Sequence, residues 1–101
     1  MIDVMFRIEA FNGISRFLVY MPYEFSDNKG SSTCLTLEES HSSCEHDYIL
    51  RSTKPLKRDE SNIACHYILK RFGYDSKDIN IIKRINYNTF TKHFKKHLGV
   101  K

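Results

Sequence analysis

The chain has no tryptophan, and only four glycines and two prolines among its 101 residues. So few glycines leave little to build a phosphate-cradling loop from. Neither that loop, nor a paired-carboxylate motif, nor a Gly-x-Ser-x-Gly nucleophile elbow is present. Three cysteines (Cys34, Cys44 and Cys65) are an odd number and too few for a disulfide framework. No run of about 18 apolar residues exists, so no membrane-spanning helix is expected. The start, Met1-Ile2-Asp3-Val4, lacks the basic segment and apolar stretch of an export signal. With the cysteine usage this points to reduced thiols in a cytoplasm. The length supports one domain, residues 1–101, with one modest core. Richness in Lys, Asn, Ile, Phe and Tyr fits an AT-rich source such as a phage or other mobile element.

A further absence is local. From Lys83 to Lys101 there are six cations and no acid. Residues 1–50 carry three cations and eight acids, a net of −5, while residues 51–101 carry thirteen and four, a net of +9; the halves sum to the chain's +4. Such a block calls for a polyanionic partner or the acidic surface of another protein, although a merely solvated face has the same composition.

What is present begins with a hairpin over residues 4–21. Asn12-Gly13 suits the two positive-φ positions of a tight turn between alternating runs. Pairing Phe11 with Ile14 sets Ala10 against Ser15, Ile8 against Phe17, Phe6 against Val19 and Val4 against Met21 on one apolar face. The other face pairs Glu9 with Arg16, Arg7 with Leu18 and Met5 with Tyr20, and reads as mixed and half-exposed. Pro22 is expected to end the second strand. Thr33–Leu37 and Tyr48–Thr53 read as further strands, with Glu38–Asp47 an exposed loop. A helix is expected from about Ser61 to Phe72, its stripe Ile63, Ala64, Tyr67, Ile68 and Phe72, its start capped by Asp59 or Ser61 and its end set by Gly73. Residues 76–85 fit either a helix or a strand. A last helix over Thr89–Leu98 takes Asn88 as N-cap, Phe90, Phe94 and Leu98 as buried stripe, and Gly99 as stop. The fold expected is α+β: an N-terminal antiparallel sheet opened by the hairpin, with two or three C-terminal helices packed on it.

Residues 85–94, Ile-Asn-Tyr-Asn-Thr-Phe-Thr-Lys-His-Phe, resemble the turn and recognition helix of lactose-repressor-type regulators. Extended through Lys95-Lys96, they also resemble the end of Fis-type nucleoid proteins. Asn80, Lys83 and Arg84 stand where that pattern has a small residue, an apolar residue and a turn glycine. The resemblance implies a helix-turn-helix in which Tyr87, Asn88, Thr91 and Lys92 approach base edges while Lys83, Arg84, Lys95 and Lys96 meet phosphates. The function it implies is that of a small non-enzymatic DNA-binding or transcription-accessory protein. The alternative is a mobile-element protein whose basic face docks on a host nucleic-acid-handling protein, with Phe11, Leu18 or Tyr20 as an exposed apolar anchor.

Other chemistry is weaker. Cys34, His41, Cys44 and His46, and the pair His93 and His97, fit no standard zinc spacing, so no metal or cofactor is expected. Cys65 and His66 are helix neighbours and point about 100° apart, which bars the His from activating that thiol. Phe11 and Tyr20 are the aromatic residues free to stack on single-stranded nucleic acid.

Overall fold

The computed structural model describes residues 1–11, 13–36, 42–56 and 62–99. Strands β1 (Ile2–Phe11) and β2 (Ile14–Phe25) form the expected hairpin. Its register pairs Phe11 with Ile14, Ala10 with Ser15, Ile8 with Phe17 and Phe6 with Val19. Gly13 takes the left-handed conformation of the turn, at φ 77°, where a β-carbon is strained. Asn12 lies outside the described residues, as do Leu37, His41, Asp59 and Ser61.

β2 does not stop at Pro22. A bulge between Met21 and Phe25 interrupts its pairing, so a residue without an N–H costs no ladder bond there, and the strand runs on to Phe25. The Pro22 carbonyl accepts a bond from Ser32 Oγ at 2.8 Å. β3 (Ser32–Leu35) pairs with β2, and β4 (Ser42–Cys44) with β3. At the other side β5 (Thr53–Pro55) pairs antiparallel with residues 7–9 of β1, and β6 (Ile79–Ile81) parallel with residues 2–4. The sheet runs β4-β3-β2-β1-β5, with β6 sharing the outer edge of β1.

Among the described residues three helices complete this α+β fold: α1 (His46–Ser52), α2 (Asn62–Arg71) and α3 (Tyr87–His97). The segment expected as a strand over 48–53 is therefore mostly helix. A short apolar run is ambiguous between the two, and here one inward residue, Ile49, is enough to seat a helix of two turns. The acidic stretch before it is not all loop either, since β4 and the start of α1 fall within it.

Both faces of the hairpin are buried, a second departure from expectation. On one face Val4, Phe6, Val19 and Met21 join Leu35 and Ile79 beneath Cys65, Ile68 and Leu69 of α2; Phe17 only partly joins them. On the other, Met5, Leu18, Tyr20 and Cys34 pack with Ile49. Arg7 is buried on this second face, bonding Thr53 through Nε to Oγ1 at 2.7 Å and through Nη2 to the carbonyl at 2.8 Å. Beside it the buried Glu9 takes a 2.6 Å ion pair from Arg16. The mixed face is thus covered because its charges find partners.

α2 is rotated from the expected stripe. Cys65, Ile68, Leu69 and Phe72 form a complete i, i+3, i+4, i+7 set, and the sheet takes that set, leaving Ile63 and Tyr67 outside. Gly73, at φ 86°, ends the helix, with Gly73 N–H on the Lys70 carbonyl and Tyr74 N–H on that of Leu69. Among the described residues no helix is long and apolar enough to cross a membrane.

Candidate nucleic-acid interface

α3 forms where a capping amide, a one-sided aromatic stripe and a glycine stop coincide. Asn86, not Asn88, is the N-cap: its Oδ1 accepts the Thr89 N–H at 3.1 Å. The helix accordingly starts two residues earlier than expected, at Tyr87. Asn86 has a second tie, its own N–H donating to the Tyr23 hydroxyl at 3.0 Å. At the far end Gly99 sits at φ 77°, and Lys95, Lys96 and His97 complement the negative end of the helix dipole.

The inward side of α3 meets β2 through rings rather than aliphatic chains. Phe25 lies 5.2 Å from Phe90, 5.0 Å from Phe94 and 5.5 Å from His97, centroid to centroid. Tyr23 stacks on His93 at 5.3 Å. His46, at the start of α1, touches Phe90 at 5.1 Å and Tyr87 at 5.8 Å while its Nδ1 lies 3.1 Å from the Tyr20 hydroxyl. Burial holds the His46 imidazole below its ordinary pKa, and its buried Nε2 has no partner among the described residues, so the neutral ring is the form this seam accepts. Phe90 and Phe94 are half-buried, as expected of the stripe in part only, because Leu98 is exposed and no residue of α3 is fully buried.

With that side inward, the helical period turns Asn88, Thr91, Lys92, Lys95 and Lys96 outward, and all five are exposed. Lys83 and Arg84 are exposed in the turn before α3. None of these five cations forms an ion pair among the described residues. Tyr87 is 62% exposed although its ring touches His46. Seven of the eight residues singled out in the sequence are therefore solvent-facing on α3 or the corner before it, with Tyr87 at its margin.

The helix-turn-helix is not formed. Residues 76–78 make a single 3-10 turn capped by Asp75, and residues 79–81 are β6, so no first helix precedes the turn. Four isoleucines between 79 and 85 suit a strand, and Ile79 is buried in that role while Ile82 and Ile85 pack on the opposite core.

The weaker candidates resolve individually. Tyr20 is fully buried, its phenol pushed up to about 12 by desolvation, so it offers no ring for stacking; the Phe11 side chain lies outside the described residues. Cys65 is buried and its thiol pushed up to about 12, while His66 packs edge-on against Phe6 at 5.4 Å. No group of three or more metal-ligating side chains converges among the described residues. Sequence reasoning missed Tyr23, Phe25 and His46 as the seat of α3. The signal was there in the alternation of Tyr23 and Phe25 beyond Pro22, hidden by ending the strand at the proline.

Comparison with protein-family models, with curated proteins and with solved structures finds no match to this chain.

Proposed function

We propose that this is a small non-enzymatic protein that binds duplex DNA through the outer face of α3 and the Lys83-Arg84 corner. The supporting observation is the outward set Asn88, Thr91, Lys92, Lys95 and Lys96 on a helix whose other side is anchored to the sheet. A helix of 11 residues is about 16 Å long, short enough to lie in a major groove. Lysines supply phosphate neutralisation without sequence preference, while an outward Asn88 amide suits the edge of an adenine. Nothing on this face pairs a nucleophile with a base, so binding rather than catalysis is the activity it suits.

Fluorescence anisotropy on a labelled duplex tests the reading. Engaging four or five of these cations gives a slope of log affinity on log salt of about −4 to −5. Replacing Lys95 and Lys96 with Ala flattens it by ~2. No duplex binding at ~50 mM salt, where even non-specific attraction is visible, overturns it.

A second reading keeps the same face and changes the partner to an acidic surface on a host nucleic-acid-handling protein. Its apolar anchor would be neither Leu18 nor Tyr20, which are buried, but the exposed Tyr87, which follows Lys83 and Arg84 in the chain.

A further inference from the structure

α2 presents to solvent a face of unusual composition. Ile63 is 86% exposed and Tyr67, one turn on, is 57% exposed. Lys70 and Arg71 follow on the same side at the next turn, both exposed, and α2 contains no acid. Single exposed apolar side chains are ordinary. Two in register on one helix, ending in paired cations, have the make-up of a contact surface, in which Tyr and Arg are enriched.

A surface of opposite character lies across the sheet. α2 covers the Val4, Phe6 and Val19 face, whereas a groove of about 650 Å³ opens on the side where His46 meets Tyr20. Phe90 and Phe94 wall this groove, and Asp27, Glu45 and Asp47 line it together with Lys29. Three acids less one lysine leave −2, against +2 from Lys70 and Arg71. The Asp27 carboxylate is fixed in its charged form, its Oδ1 accepting the N–H groups of Lys29 at 2.8 Å and Ser31 at 3.0 Å.

We propose that a second copy of this chain joins the two surfaces: Ile63 and Tyr67 of one copy seat against Phe90 and Phe94 of the next, with Lys70 and Arg71 among Asp27, Glu45 and Asp47. The two surfaces differ and lie on opposite sides of the sheet, so the contact is heterologous and each added copy leaves one α2 face and one groove free. One face of a ten-residue helix places the contact at the small end of specific interfaces, below about 1,200 Å² in total. The association is therefore weak and, resting partly on charge, sensitive to salt. It goes beyond the DNA reading and does not depend on it. Where both hold, copies in a row keep the outer face of α3 outside the contact and bind a duplex cooperatively.

Sedimentation of the full chain without nucleic acid, from ~20 μM to ~1 mM, is the test, at concentrations where an interface this small associates. At low salt the weight-average mass is expected to climb with concentration from the 11.9 kDa of one chain, and at ~0.5 M salt to return to it. K70E/R71E and E45K/D47K each shift the association at least ~10-fold to higher concentration, as like charges then face each other. Mixed, these two variants recover the growing series with the two alternating along it, since the intact α2 face of one meets the intact groove of the other and the two reversed surfaces are again complementary. All four changes in one chain restore the growing series. All these positions are exposed, and a thermal melt of each variant confirms folding; Y67A, with charges intact, gives an independent loss. A single-chain mass at every concentration, a dimer that does not grow, or association indifferent to either charge reversal overturns the proposal. Salt-sensitive duplex binding measured on the same samples reports separately on the DNA reading.

Discussion

Removing the Phe25 ring tests whether α3 is a separately docked element. Phe25 touches Phe90, Phe94 and His97 at 5.0–5.5 Å, and it is half-buried. A fully buried Phe→Ala change costs ~3–5 kcal/mol, so a half-buried one costs ~2. Aromatic pairing adds ~0.5–1.5 kcal/mol for each good contact, with much overlap, which brings the expected loss to ~2–3 kcal/mol. α3 has no fully buried residue, and an isolated helix of 11 residues is marginal in water. If docking is worth about that much, Phe25→Ala leaves α3 detached and melted while the sheet and α2 persist. Hydrogen exchange resolved by residue is the assay. Amides from Phe90 to His97 should lose at least ~30-fold in protection, the equivalent of ~2 kcal/mol. Those of Cys65 to Leu69 should keep most of theirs. Acceleration of both helices by one common factor would show that α3 opens only with the whole fold.

Three further outcomes follow from individual contacts. Asn86→Ala removes the cap on α3 and should cost ~1 kcal/mol in a urea titration, whereas Asn88→Ala should cost less than ~0.5 kcal/mol and instead reduce discrimination between duplex sequences; equal stability losses would refute the assignment of the cap. Thr53→Val strips Arg7 Nε of its buried acceptor and should cost ~2–3 kcal/mol, part of which Arg7→Met in the same chain recovers in a double-mutant cycle. The His46 pKa is lowered by folding, so the unfolded chain binds the proton more readily; its contribution is fully present above the unfolded value of about 6.5 and is lost as pH falls through and below it. Urea midpoints should drop across that range in the parent and drop less in His46→Phe, and parallel curves would refute the assignment.

The hairpin was legible because two constraints agreed on one register: a turn that needs positive φ, and an alternation that a one-residue slip would invert. The covering of its second face was not. Met5, Leu18 and Tyr20 share that face with Arg7, Glu9 and Arg16, a mixture equally fit for solvent. What buries it is remote in sequence: Thr53 supplies both acceptors for Arg7, and Ile49 and Ile82 bring the apolar cover. The same remoteness explains α2, whose sequence offers two apolar stripes. Only the position of the sheet decides between them.

The helix-turn-helix resemblance has a physical source that survives the absence of the motif. Aromatic residues at Phe90 and Phe94 with polar residues between them are what any helix docked along one narrow stripe must show, whether its support is another helix or a strand. The pattern therefore encodes one-sided docking and says nothing about what precedes the turn, where β6 stands in place of a helix. Without a second helix crossing the backbone, α3 has no partner element to fix its register on a duplex. On the proposed DNA reading, affinity rests on Lys83, Arg84, Lys92, Lys95 and Lys96, and sequence discrimination on the outward side chains between the anchors, Asn88 and Thr91 foremost. In the binding mode proposed above the salt dependence is steep and the sequence preference shallow, and where copies associate as proposed, reach along a duplex comes from neighbours more than from base contacts.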